Sequence, residues 1–153
     1  MSGAVPGGRA RLPRLLLGLF VIGVLGTIPE LVMLDHLDDW RQWLPVVLLG
    51  LGLPLAAWHW RRPGPATVRS FRLLGVAYML SGGLGVWFHV RGNMAFQREL
   101  DPGLHGWPLW RETLTHGAPA LAPGTMTWFG LLAVLLTIAG PVLPIGTPAP
   151  SEE

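Results

Sequence analysis

Histidines and carboxylates are the side chains of this 153-residue sequence that could do chemistry. The chain has five His and nine Asp or Glu residues, and it contains no Cys. Without Cys, disulfides, thiolate metal sites, iron–sulfur clusters and thiol nucleophiles are excluded. A metal would have to bind imidazole and carboxylate groups, which suit zinc, copper or iron. The chemistry open to the chain is therefore metal binding or proton transfer by these groups.

Six polar residues near the ends of long apolar runs are predicted to form one patch that binds a ligand or a partner. They are Glu30, His36, Asp39, His89, Asn93 and Glu99. Within this patch Glu30, His36 and His89 are the candidate metal ligands. His36 and Asp39 are spaced by one helical turn, which suits a shared ligand face. The spacing matches no established motif such as H-x-x-x-H, so polar residues at the level of lipid headgroups are the alternative interpretation.

Small residues recur every four positions along the third apolar run and lead to two polar side chains. The row consists of Ala77, Ser81, Gly85, His89 and Asn93, with Gly82 beside it. Small residues at this spacing let a second helix approach closely, which is how helices associate in lipid. We expect close helix packing along this row, with His89 either bonded to a carbonyl or headgroup or acting chemically.

Glu30 is a charged residue inside the first apolar run. It shares a helical face with Gly23 and Gly26, at spacings of three and four residues. Carboxylates within membrane helices usually face the protein interior and pair with another group. Glu30 is therefore interpreted either as a proton-accepting or metal-binding group, or as one buried bond that fixes helix register.

Four apolar stretches must position these residues. They cover residues 15–34, 44–60, 71–90 and 125–143. At about 17–20 residues and ~1.5 Å per residue, each is long enough to span a ~30 Å hydrocarbon core. Half of the chain is hydrophobic and only 13% is charged, against about 25% in a typical soluble domain. The sequence thus predicts an all-α integral membrane four-helix bundle that forms a single domain over residues 1–153.

The remaining segments differ in length and composition. The long outer loop, residues 91–124, is predicted to hold a short extracytoplasmic amphipathic helix that begins near Pro108 and ends at Gly117. Its apolar side would carry Leu109, Trp110, Thr113 and Leu114. The Gly- or Pro-rich ends, residues 1–12 and 146–153, are predicted to be disordered tails.

Charge predicts the orientation in the membrane. All 11 basic residues are Arg, and a cytoplasmic N-terminus places seven of them inside and four outside. Both termini would then be cytoplasmic, in a multi-pass protein of the cytoplasmic membrane. The Arg residues are too scattered for a nucleic-acid surface. His59, among Trp58, Trp60 and Arg61, is interpreted as an interfacial anchor facing anionic lipid headgroups. Using Arg without Lys is typical of a bacterium with a GC-rich genome.

Three functions are compatible with this reading of the sequence. The leading one is a small non-enzymatic subunit or scaffold, whose partners are the lipid bilayer and other membrane subunits. The first alternative is a redox protein that binds a metal or a b-type haem, the haem held by His36 and His89. The second is a proton-coupled transporter that uses Glu30, although the chain shows no internal repeat of the kind many transporters have.

Overall fold

The computed structural model of the chain describes residues 8–34 and 39–140, and every regular element in those ranges is helical. Five α-helices follow one another, with a short 3-10 turn at Ala122–Gly124 before the last. They are α1 (Gly8–Met33), α2 (Trp40–Arg61), α3 (Pro65–Leu100), α4 (Gly106–Thr115) and α5 (Thr125–Ile138). By length and composition, α1, α2 and α3 could each cross a membrane. The all-helical prediction is confirmed for this part of the chain.

Helix α1 begins earlier than the sequence indicated. Residues 8–12 belong to its first turns, so this part of the expected N-terminal tail is helical. Residues 1–7 and the expected tail at 146–153 lie outside the described residues.

Helix α2 also begins before the predicted residue 44, because Asp39 caps its N-terminus. The Asp39 carboxylate accepts a hydrogen bond from the backbone N–H of Arg41 at 3.2 Å. The Gln42 side chain accepts one in return from the backbone N–H of Asp39 at 3.1 Å. This reciprocal capping satisfies backbone groups that would otherwise be unpaired at the helix start.

Helix α3 has 36 residues and extends through the first part of the predicted outer loop. Its length is ~54 Å at ~1.5 Å per residue. Asn93 and Gln97 are each only 7% exposed, so this extension has a buried face. The helix ends before Asp101-Pro102, because a residue that precedes proline is disfavoured in helical conformation. The Asp101 carboxylate then accepts the backbone N–H of Gly103 at 2.9 Å and forms a tight turn.

Helix α5 is shorter than the predicted fourth span, residues 125–143. It has 14 residues, or ~21 Å of helix, against ~30 Å of hydrocarbon. The helix stops because Gly140 takes a φ of 98° and a proline follows it. Residues 141–143 lie outside the described part of the chain.

The chain divides into two compact units. The first comprises Met1–Leu74 with Leu132–Glu153 and therefore includes α1 and α2. Phe20 and Phe71 are fully buried in it and meet edge to face, with ring centroids 5.6 Å apart. An aromatic contact thus joins α1 to the start of α3 within the first unit.

The second unit, Gly75–Leu131, holds the rest of α3, α4 and the start of α5. Tyr78 of α3 is fully buried, and its ring lies 6.3 Å from that of Phe129 in α5. Helix α4 lies within a residue or two of the predicted bounds, but its buried residues are only Leu109 and Thr113. Trp110 and Leu114, which were expected on the same side, are about half exposed.

Candidate functional site

Asn93 and His89 lie one turn apart on α3. Both side chains form hydrogen bonds to the backbone at the end of α4 and in the segment between α4 and α5. The Asn93 amide donates through Nδ2 to the carbonyl of Thr113 at 3.1 Å and to that of Ala118 at 2.7 Å. Its Oδ1 accepts the backbone N–H of Ala118 at 3.2 Å. One buried side chain therefore satisfies three backbone groups that no helix pairs.

His89 makes a parallel contact one turn earlier. Its Nδ1 lies 3.2 Å from the carbonyl oxygen of Pro119. Because a carbonyl oxygen only accepts, Nδ1 must carry the proton and donate it in this bond. The bond fixes the tautomer and the orientation of the imidazole against the α4–α5 link, which we define as residues 116–124.

Gly117 of the α4–α5 link fits this arrangement through its backbone conformation. Its φ is 97°, a left-handed value that residues with a Cβ rarely adopt. A Cβ at this position would lie 2.9 Å from Oδ1 of Asn93. Asn93 and Gly117 therefore fit together only while residue 117 is glycine.

The small-residue row on α3 also faces this part of the chain. A Cβ on Gly85 would lie 2.5 Å from the Pro123 side chain, and one on Gly82 would lie 2.9 Å from the backbone nitrogen of Thr127. Ser81 is buried, and Ala77 is partly buried. Further along α5, a Cβ on Gly130 would lie 2.6 Å from the carbonyl oxygen of Gly75. The α4–α5 link and α5 thus approach α3 at glycines.

The other members of the predicted polar patch are placed differently. Glu99 is exposed in the last turn of α3, and Glu30 is exposed near the end of α1 in the first unit. The Asp39 carboxylate caps α2 and also lies 3.7 Å from the Arg41 guanidinium. His36 lies outside the described residues.

The predicted packing face of α1 is open at one of its two glycines. No atom of the described chain lies within 4 Å of the place that a Cβ on Gly26 would occupy, and Gly26 is exposed. Gly23 is partly buried. A close neighbour at Gly26 is therefore absent from the described residues.

No group of three or more His, Asp or Glu residues lies together in ranges 8–34 and 39–140 in a way that could hold a metal. Two of the candidate ligands, Glu30 and His89, lie in different units, and the third, His36, is not described. What the second unit brings together is His89 and Asn93, and both contact backbone carbonyls. In chemical terms this arrangement stabilises irregular backbone.

His59 is a polar residue whose surroundings the sequence reading missed. It is 2% exposed, so its imidazole does not face lipid headgroups as the sequence predicted, whereas Trp58 and Trp60 beside it are about half exposed. Its Nδ1 lies 2.7 Å from Oγ1 of Thr67, whose own proton goes to the carbonyl of Gly64 at 2.9 Å. His59 therefore donates to Thr67, and its Nε2 has no hydrogen-bond partner among the described residues. The residue that could have indicated the burial of His59 is Thr67, in the first turn of α3. Its hydroxyl bonds both to His59 and to the carbonyl of Gly64 in the turn between α2 and α3.

Comparisons with known proteins add no further assignment. No protein-family model, no curated protein and no solved structure matches this chain.

Proposed function

We propose that this chain is a small multi-pass protein of the cytoplasmic membrane that acts as a non-enzymatic subunit or scaffold. The observation that carries the membrane location is the exposed surface of the long helices. On α1 alone, Leu15, Leu19 and Ile22 are 69%, 60% and 71% exposed. Apolar surface costs about 25 cal/mol per Å² in water, and soluble monomers rarely expose large continuous patches of it. A lipid environment removes this cost.

A four-span bundle requires that α5 act as the fourth crossing although it is short. Backbone that is not helical is tolerated at membrane depth only where the protein satisfies its polar groups. Asn93 does this for the carbonyl of Ala118 and His89 for that of Pro119, both in the link, and Asn93 also pairs the carbonyl of Thr113 in the last turn of α4. We therefore propose that α5 and the α4–α5 link cross the membrane together, with α3 supplying the hydrogen bonds that the link lacks.

The orientation follows from the Arg distribution. We place both termini in the cytoplasm, because this arrangement puts seven of the 11 Arg residues on the cytoplasmic side. The end of α1, the start of α2 and the end of α3 would then lie outside. Helix α4 would lie at the outer interface, where the exposed rings of Trp107 and Trp110 suit the headgroup level.

The subunit role is assigned to the outer face. Among the described members of the predicted patch, His89 and Asn93 contact the α4–α5 link and Asp39 caps α2, which leaves the exposed carboxylates of Glu30 and Glu99. Exposed carboxylates beside apolar helices suit a partner subunit that brings Arg or Lys side chains. We propose that these two carboxylates contact such a partner.

The test is purification in mild detergent from carbonate-washed membranes of the native host. We expect the chain in those membranes, in a complex larger than its own 16.6 kDa. The double variant Glu30→Gln with Glu99→Gln should lose most of the complex. The matched control is Glu152→Gln with Glu153→Gln, which removes two carboxylates from the C-terminal end and should keep it.

Three results would contradict the proposal. A chain that the carbonate wash removes would contradict the membrane location. A lone monomer would contradict the subunit role, and equal loss of the complex in both double variants would contradict the assignment to Glu30 and Glu99.

A further inference from the structure

A pocket of about 300 Å³ lies in the first unit, between the α2–α3 turn and the end of α5. Most of its walls carry no polar side-chain atom. They are formed by Pro63, Gly64, Pro65, Val68 and Gly140. Thr137 also lines the pocket, but its hydroxyl already donates to the carbonyl of Val134 at 2.7 Å and accepts Nε of Arg72 at 3.2 Å. The polar group left for a ligand is that of the last lining residue, His59.

His59 holds an unused hydrogen-bond acceptor. The side chain is 2% exposed, and its Nε2 is buried without a hydrogen-bond partner among the described residues. Because Nδ1 donates to Thr67, a residue that does not line the pocket, the opposite edge of the ring, which carries Nε2, is left for the pocket. A buried charge without a partner is costly, so the imidazole is neutral and Nε2 has a lone pair to offer. The pocket thus combines one acceptor with apolar walls.

The size and position of the pocket limit the ligand. Ligand pockets in proteins begin at about 300 Å³, so this one suits a molecule of about one ring. The acceptor requires an O–H or N–H donor. Trp58 and Trp60, on either side of His59 in the sequence, are about half exposed, and exposed Trp residues mark the level of lipid headgroups. The expected ligand is therefore a small ring with a hydroxyl group that approaches at the membrane interface.

We propose that this pocket binds the ring of a membrane quinol, a dihydroxylated ring on an apolar tail. One hydroxyl donates to Nε2 of His59, the ring packs on Pro63 and Val68, and the tail extends into the lipid. The oxidised quinone has carbonyl oxygens, which cannot donate, so the pocket selects the reduced form. The proposal concerns binding alone, without electron transfer. It rests on the proposed membrane location and adds a ligand to the subunit role.

Two substitutions separate the hydrogen bond from the pocket itself. His59→Phe removes Nε2 and keeps an aromatic ring against Phe71, whose ring centroid lies 5.3 Å from that of His59. Gly64→Leu adds a side chain to a wall of the pocket, at a position where no described neighbour lies within 4 Å of the Cβ. Gly92→Leu is the matched control, because Gly92 has the same open space at its Cβ position and does not line the pocket.

The experiment is isothermal titration calorimetry of the full chain in mild detergent under argon. The probes are a benzoquinol with a decyl tail, the corresponding quinone, and the same quinol without its tail. We expect one tailed quinol per chain, bound about tenfold more tightly than the quinone, which lacks the hydrogen bond to Nε2. The tailless quinol should bind more weakly than the tailed one. His59→Phe should bind quinol and quinone equally, Gly64→Leu should bind neither, and Gly92→Leu should keep the natural preference.

The outcomes separate the quinol site from the proposed function. A chain that the carbonate wash removes from membranes overturns both. A membrane-embedded chain that binds quinol and quinone equally, or that keeps its preference in His59→Phe, overturns the quinol site alone. Tighter binding of the quinone also overturns it and assigns the opposite tautomer to His59.

Two further results would overturn the quinol site. Equal affinity for the tailless quinol would assign the pocket to a water-soluble phenol. Should His59→Phe fail to fold, the two leucine variants decide the matter, because quinol binding that survives Gly64→Leu, or that Gly92→Leu removes equally, places the ligand elsewhere.

Discussion

At the scale of single residues, the Asn93 side chain pairs backbone groups that helical hydrogen bonds pair elsewhere in the chain. The carbonyl of Thr113 in the last turn of α4 and that of Ala118 in the irregular segment after it would be unpaired without the Asn93 amide. An unsatisfied buried carbonyl is costly, and in lipid no water replaces the missing donor. The polar residues at this end of α3 are therefore explained by the backbone they contact.

The variant Asn93→Ala tests this explanation. It removes three hydrogen bonds from a site that is 7% exposed, so we expect a loss of about 2–4 kcal/mol in the free energy of unfolding. Hydrogen exchange of the Ala118 amide should speed up, because its acceptor Oδ1 is gone. The control Arg98→Ala, at an exposed position of the same helix, should change neither quantity. Unchanged exchange at Ala118 in Asn93→Ala would contradict the assigned bond.

At the scale of elements, the packing of α5 on α3 depends on which side of α3 lacks side chains. Gly82 and Gly83 are neighbours in sequence but face different surroundings. A Cβ on Gly82 would lie 2.5 Å from Oγ1 and 2.9 Å from the backbone nitrogen of Thr127, while one on Gly83 would meet no neighbour within 4 Å in the described part of the chain. Gly82 permits the close approach of α5, and Gly83 has no such role.

These two glycines give a matched pair of substitutions. Gly82→Ala forces α5 away from α3 and should cost about 1–3 kcal/mol, as overpacked sites do. Gly83→Ala should stabilise the helix by about 1 kcal/mol, because alanine is the better helix former. Thermal unfolding in detergent should therefore show shifts of opposite sign. Equal shifts would contradict the packing of α5 at Gly82.

The sequence predicts the helices more reliably than their ends and contacts. The apolar runs locate α1, α2 and the middle of α3, because long helices need a continuous apolar surface. The continuation of α3 to Leu100 could not be foreseen, since Gly92-Asn93 resembles a loop and the Asn93 bonds reach residues 20 and 25 positions away. Helix α5 ends at Ile138, just before Gly140-Pro141, a pair that typically stops a helix, whereas the predicted span continued to residue 143 because the apolar run does. The burial of His59 could not be predicted, because it depends on packing against Phe71 of α3, whose ring centroid lies 5.3 Å from that of His59.

At the scale of the whole molecule, the proposed topology rests on two observations. The exposed apolar helices indicate that the chain lies in a membrane, and the Arg distribution indicates its orientation there. Positive residues favour the cytoplasmic side, and this bias orients a multi-pass chain. The turn between α2 and α3 then lies inside, and the turn between α3 and α4 lies outside. The proposed partner contact near Glu99 depends on this assignment, because it decides which compartment Glu99 faces.

Single cysteines test the topology directly, because the natural chain has none. Gly64→Cys and Gly103→Cys lie on either side of α3, a helix of ~54 Å. Among the described residues, no neighbour lies within 4 Å of a Cβ at Gly64, and a Cβ at Gly103 would meet the exposed Asp101 carboxylate at 3.2 Å. We expect a membrane-impermeant maleimide to label Gly103→Cys in intact cells and Gly64→Cys only after permeabilisation. The reverse pattern would invert the topology. Labelling of both in intact cells would mean that α3 does not cross the membrane.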